Sequence, residues 1–294
     1  MSQARHAELF QLLDINGEDA MECAALLDRN PSGHVLDALE LLQQRLGTFP
    51  ADSISPDQLS PDAASPNQIS PGRHRETVWI EALLRFAPRV HAYHLELGIS
   101  VDVSAATLAD VGLQLRINRR VHGHFGLDTW SWLTLHMAGN LFRLGRLQFH
   151  LIRSGHNDGP GSSVAYASAW VLGVHIPEDG GLSPALVDAS FDEARSFFPR
   201  YFPDKPATVA TCESWMLDPY LVERLPNSNI ASFAARFTLD RCTDAPTDAV
   251  YFTFRQRGLE NLDKLPRETS LQRIVLERID DGGTWQLGHG HLTL

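Results

Sequence analysis

The chain has 294 residues, a 43% hydrophobic fraction and a formal net charge of −11. It is long enough to bury the core of two domains or one large one. The acidic balance, with no strongly basic block, speaks against nucleic acid or an anionic membrane surface as a partner.

No stretch approaches the roughly 20 apolar residues that a membrane helix needs, and the first residues lack a signal-peptide apolar region or cleavage site. Cys23, Cys212 and Cys242 are odd in number and widely spaced, with no CxxC pair, so neither a disulfide framework nor a cysteine zinc site is expected. The expectation is a soluble, cytoplasmic protein, monomeric or homodimeric, with no bound metal.

Residues 1–49 carry apolar stripes at helical spacing, broken at Asn30-Pro31-Ser32-Gly33. Residues 51–74 change character: Ser55-Pro56, Ser60-Pro61, Ser65-Pro66 and Ser70-Pro71 recur with few large apolar groups between them. Such a segment has nothing to bury and reads as a flexible insert. From Glu76 a helix returns, with Trp79, Leu83, Phe86 and Val90 inward and Gly98 at its end. Ser104 is the expected cap of the next helix, which leads to His122 and His124. Those two histidines, beside Gly123, read as a solvated helix end rather than a metal site.

Residues 128–135 suit helix or strand, and residues 141–152 read as one half-buried strand. The Gly-rich stretch 154–163 has no Lys and no GK[ST], so it reads as a hairpin loop rather than a phosphate loop. A long strand is expected over residues 164–176. Gly180-Gly181 then signals a turn, and Ser183-Pro184 a helix start, with Val187, Phe191, Ala194 and Phe198 on one face and a stop near Pro199. Strand, turn and capped helix together aim backbone N–H groups at one point, a ready site for a phosphate, although an ordinary βα connection has the same spacing.

Residues 207–217 form the next apolar run, ending at Asp218-Pro219, a helix start. Strands are expected over 230–239 and 249–255, a helix opened by residues 265–270 and ended at Gly282-Gly283, and a last strand over 284–294. The pattern mixes helices with a partly antiparallel sheet, an α/β (α+β) class.

Several blocks, in order, resemble one family: RLGRLQF from Arg143, LGVHIP from Leu172, GLSP from Gly181, SWMLDP from Ser214 and LPRETSLQR from Leu265. The chain resembles actinobacterial-type acyltransferase-domain proteins, in which a helical N-terminal acyltransferase domain precedes a GNAT-like C-terminal domain. The resemblance implies domains at 1–125 and 126–294, the second a mixed sheet with flanking helices. It implies an acyl-CoA cosubstrate, acetyl-CoA foremost. Residues 170–176 would be the strand that splays from its neighbour, with Val174 and Ile176 exposing backbone to the thioester and pantetheine. Gly180, Gly181, Leu182 and Ser183 would receive the pyrophosphate, and residues 208–215 would flank the split. The usual [QR]-x-x-G-x-[GA] motif is missing, and Glu178 and Asp179 place carboxylates where a phosphate favours a cation.

Acyl transfer to an amine needs a base for the ammonium proton, an acid for the thiolate and donors for the oxyanion. His175, at the open strand end, has a suitable pKa range for the base. Glu213 and Cys212 follow on the companion strand, facing opposite sides; Cys212 would need His175 as partner to act as a nucleophile. Arg143 and Arg146 are candidates to hold a substrate carboxylate or phosphate, and Trp215, on the side of Glu213, to line the acceptor. His289 and His291 share one face of the last strand, but no third ligand adjoins them, so a zinc site is not expected. The function these residues indicate is transfer of an acyl group from acyl-CoA to the amine of a small-molecule acceptor. The alternatives are a non-catalytic GNAT-like acyl-CoA-binding or protein-interaction protein, and a Cys212/His175 hydrolase.

Overall fold

A computed structural model describes residues 6–49, 73–154 and 169–294. The expectations for the Ser-Pro insert over 51–72 and for most of the Gly-rich loop fall outside the described residues, as does the first part of the strand expected from residue 164. The chain separates into two compact units, residues 1–144 with 148–153, and residues 145–147 with 154–294.

The first unit is mainly helical. Its helices are α1 (Ala7–Leu12), α2 (Gly17–Leu27), α3 (Gly33–Arg45), α4 (Arg73–Glu96), α5 (Val101–Leu108), α6 (Asp110–His122) and α7 (Trp130–Met137). The caps follow the sequence: Ser32 Oγ accepts from Val35 N–H at the head of α3, and Gly123 takes φ +71° to end α6. Leu13, Leu42, Leu83, Leu84, Leu115 and Leu133 fill the core, and Trp79 stacks on Trp130 with centroids 4.7 Å apart. Ser104 does not cap a helix. Ser100 caps α5, and Ser104 lies buried inside that helix, between His91 Nδ1 at 2.8 Å and His94 Nδ1 at 2.9 Å.

The single strand expected over residues 141–152 is two strands, β1 (Leu141–Leu144) and β2 (Leu147–Arg153). Gly145 makes the turn at φ +61°, a conformation that favours glycine. A periodicity of two does not register a turn that reverses the chain within two residues.

The second unit holds β3 (Trp170–His175), α8 (Pro184–Tyr201), β4 (Val209–Ser214), α9 (Pro219–Arg224), α10 (Asn229–Ala234), β5 (Thr238–Asp244), α11 (Asp248–Phe254), α12 (Ser270–Asp280) and β6 (Gln286–Thr293). Its strands run in the order β3-β4-β6-β5; β3 and β4 are parallel, and β6 is antiparallel to both neighbours. Two expected strands are corrected: residues 229–234 and 248–254 are helices, and the intervening strand is Thr238–Asp244. Ile230 and Phe233, three apart, share one face of a helix, which alternation along a strand would not allow, and Ser228 Oγ caps α10 by accepting from Ala231 N–H at 3.0 Å. Helix α8 runs through Pro199 to Tyr201 and buries Val187, Phe191, Ala194 and Phe198 as its spacing demands.

Asp218 anchors one end of this unit. It is 1% exposed, caps α9 through Tyr220 N–H (2.9 Å), accepts from Arg278 Nη1 (2.6 Å) and from Gln286 N–H (3.0 Å). The Arg278 guanidinium lies over the Tyr220 and Trp285 rings. Helix α12 opens with a capping box between Thr269 and Gln272.

Candidate active site

The parallel ladder between β3 and β4 is short. It pairs Leu172 with Ala210 and Gly173 with Thr211, and goes no further. Strand β4 runs on through Cys212, Glu213 and Ser214, each still paired with β6, at Gly290, His289 and Gly288. Beyond Gly173 and Thr211, therefore, β3 leaves its partner while β4 keeps its own. The end of the ladder, with Val174 and His175 on one side and Cys212–Ser214 on the other, is a candidate wedge. Strand edges that part inside a sheet present backbone donors and acceptors to whatever enters.

Side-chain alternation makes one face of this wedge polar. Directly paired residues share a face, so Gly173, Thr211 and His291 lie together, as do Glu213, His289 and Arg241. His175, two residues past Gly173, belongs to the same face. Glu213 Oε1 is 3.3 Å from His289 Nδ1, and His289 Nε2 is 2.9 Å from Thr243 Oγ1. The hydrogen bond to His289 holds the Glu213 carboxyl below the usual carboxylate range, with the charges of His289, Arg241 and His175 acting in the same direction. The site thus sets an ionised carboxylate on β4 close to an imidazole on β3, across the opening of the ladder.

Cys212 points the other way, into the core. Burial and the neighbouring Glu213 charge push its thiol up to about 12, so the thiolate that a nucleophile requires is not formed near neutral pH. Trp215, expected from the sequence to line the acceptor, lies inward. It is 3% exposed and packs edge-on against Trp285, with centroids 5.9 Å apart.

At the head of α8, Ser183 occupies the N-cap position without a side-chain capping bond, and Pro184 follows at the first turn. Among the described residues, the N–H groups of Gly180, Gly181, Leu182 and Ser183 donate to no backbone acceptor. A Cβ placed on Gly181 would meet nothing within 4 Å. The two carboxylates beside them are compensated: Glu178 pairs with Arg255, and Asp179 Oδ1 lies 3.7 Å from Arg146 Nη1. Nothing in the sequence around Glu178 points to Arg255, which lies far along the chain at the end of α11.

Arg146 and Arg143 have different surroundings. Arg146, 7% exposed, donates from Nε to the Gly181 carbonyl (2.9 Å) and from Nη2 to those of Pro177 (2.6 Å) and Gly180 (2.5 Å). Arg143 belongs to the first unit, where its N–H donates to Thr107 Oγ1 at 2.9 Å. His291 Nδ1 lies 2.9 Å from both Asp240 oxygens. No group of three or more His, Cys, Asp or Glu among the described residues is placed to hold a metal.

Family models give this geometry its class. The N-acyltransferase N-terminal domain matches residues 4–139 and the GNAT-like C-terminal domain matches residues 141–292. The chain belongs to the family of acyltransferases that join these two domains, and it is a CoA-dependent acyltransferase that takes its acyl group from acyl-CoA.

Among solved structures it is similar to an acyltransferase carrying a tryptophan-to-alanine mutation, in complex with octanoyl-CoA. That match has 30% identity over 99% of this chain and 88% of the other, with a TM-score of 0.82. It is similar also to an acyltransferase in complex with decanoyl-CoA and teicoplanin, at 30% identity, 99% and 88% coverage and a TM-score of 0.77. A third match, an acyltransferase in complex with CoA and 10C-teicoplanin, has 30% identity, 98% and 87% coverage and a TM-score of 0.76. A comparison with curated proteins returns no significant match. Among the described residues no helix is long and apolar enough to cross a membrane.

Proposed function

We propose that this enzyme transfers a medium-length acyl chain, of octanoyl or decanoyl size, from CoA to an amine of a small-molecule acceptor of glycopeptide type. The similar structures bound to octanoyl-CoA, decanoyl-CoA and teicoplanin support both choices. They favour a longer chain than the acetyl group expected from the sequence. The observation that carries the reading is the end of the β3–β4 ladder at Gly173 and Thr211, directly before the turn and helix start at 180–184.

In this reading the pantetheine arm lies in the wedge, with backbone at Val174 and Ile176 beside the thioester. The diphosphate lies against the N–H groups of Gly180, Gly181, Leu182 and Ser183, where the α8 dipole favours negative charge. His175 takes a proton from the acceptor amine, whose nitrogen attacks the thioester carbonyl. The C–N bond forms, the C–S bond breaks, and the CoA thiolate leaves to be protonated. Ionised Glu213 stabilises the imidazolium that His175 becomes, and His289, Arg241 and Thr243 hold that carboxylate in place. Cys212 and Trp215 have no part in these steps. We propose also that the helical and α/β portions are separate domains, the family models ending at 139 and beginning at 141.

Calorimetric titration with octanoyl-CoA, acetyl-CoA and CoA tests the assignment. Octanoyl-CoA should bind at least tenfold more tightly than acetyl-CoA, and Gly181→Val should weaken all three. Equal affinities would remove the chain-length assignment, and an unaffected Gly181→Val would remove the diphosphate site.

A further inference from the structure

The loop that would carry the diphosphate lacks the basic motif of its kind, yet its shape is imposed by a basic residue from another element. The β1–β2 turn delivers Arg146 to the inner side of residues 177–181, where the guanidinium takes three loop carbonyls and approaches Asp179. The turn is itself clamped to α8. Ser190 Oγ, fully buried in the second turn of that helix, accepts from Arg146 N–H at 2.8 Å and from Leu147 N–H at 3.3 Å. Gly145 lets the turn approach, since a Cβ there would lie 2.9 Å from Ser190 Oγ.

Planar peptides fix what this does to the donors. In a trans peptide the N–H of each residue points opposite to the preceding carbonyl, and the described chain has no cis bond. With the Gly180 and Gly181 carbonyls turned onto Arg146, the N–H groups of Gly181 and Leu182 face away from it. A Cβ added at Gly181 would itself meet nothing within 4 Å. From this we infer that Arg146 is a positioning residue for the acyl-CoA diphosphate: it does not touch the phosphates but holds the loop carbonyls back so that the amides face them. The inference rests on the diphosphate assignment made above. It reassigns Arg146 from the direct ligand its sequence position suggested to the support behind the ligand-binding amides.

The test compares two acyl donors. Octanoyl-pantetheine carries the thioester and arm but no diphosphate. Arg146→Gln should raise the KM for octanoyl-CoA at least tenfold while kcat, and the KM for octanoyl-pantetheine, change less than twofold. Arg146→Lys, with one ammonium in place of the guanidinium fork, should fall between. A merely structural role would move both donors together or neither, and either result overturns the inference.

If Arg146→Gln does not fold, amide NMR of the wild type decides. CoA should shift the Gly181 and Leu182 N–H resonances and pantetheine should leave them in place; the absence of that difference overturns the inference. Gly181→Val separates the two levels. If it raises the KM for octanoyl-CoA while folded Arg146→Gln does not, the diphosphate site stands and the role of Arg146 falls. If neither variant acts, the diphosphate site falls as well.

Discussion

Acid should weaken the first unit through one imidazole. His94 lies in the last turn of α4, fully buried, with Ser104 Oγ at 2.9 Å from Nδ1 and the Phe142 ring 5.1 Å away. Burial, reinforced by the nearby His91, lowers its pKa from 6.5 to about 4. The folded pKa is thus below the unfolded one. Above pH 6.5 the imidazole is neutral in both states and costs nothing. Between 6.5 and about 4 the unfolded chain binds a proton that the folded chain refuses, so stability falls as pH falls and levels off below about 4. At roughly 1.4 kcal/mol per pH unit the full effect is about 3 kcal/mol, a large share of ordinary domain stability.

His94→Gln keeps a polar group of similar size that does not titrate. Urea unfolding of both proteins from pH 7 to pH 4 isolates the imidazole from the carboxylates that titrate in each. The stability difference between wild type and variant should shift by about 3 kcal/mol over that range, in the direction that disfavours the wild type in acid. Ring NMR should show His94 titrating near 4. A difference that stays flat with pH, or a ring that titrates near its ordinary value, would refute the reasoning.

His175→Ala should lower octanoyl transfer by about a hundredfold without unfolding, the usual scale for loss of a general base, and a measured pH–rate profile should lose its ascending limb. Cys212→Ser should keep most of the activity, and thiol-reactive probes at neutral pH should leave Cys212 unmodified until the protein is unfolded, because the thiol sits at about 12. Asp218→Ala strands the Arg278 guanidinium and the Gln286 N–H together, so thermal or denaturant melts should show a loss of about 3 kcal/mol or more.

Local signals carried much of this fold. The break at Asn30-Pro31-Ser32-Gly33, Asp218-Pro219, and the Gly180-Gly181 to Ser183-Pro184 turn all precede helices that the structure contains. Periodicity failed where a segment was short. Residues 229–234 and 248–254 each span six or seven residues, at most about two helical turns, too short a run for periodicity alone to tell helix from strand. The turn at Gly145 and the burial of Ser104 inside α5 were invisible for a similar reason, since a single glycine or serine fits several local structures.

The site was legible only in part. The residues of the turn and of the β3 end were within reach because they lie close in sequence. The partners that define their chemistry come from elsewhere: His289 reaches Glu213 through the β4–β6 register, Arg255 meets Glu178 from the end of α11, and Arg146 arrives from the β1–β2 turn. Register and long-range packing are not encoded in any one window of sequence. Trp215 illustrates the converse: its neighbour Glu213 lies at the wedge, but the chain turns into a short 3-10 segment at Trp215 and carries the ring inward.

A crystal structure of the complex with octanoyl-CoA tests the central assignment most directly. It should place the pantetheine between β3 and β4 beyond Gly173 and Thr211, the thioester within reach of His175, and diphosphate oxygens within hydrogen-bond distance of the Gly181 and Leu182 N–H groups. A diphosphate bound away from residues 180–183, or a pantetheine arm outside the wedge, would contradict it.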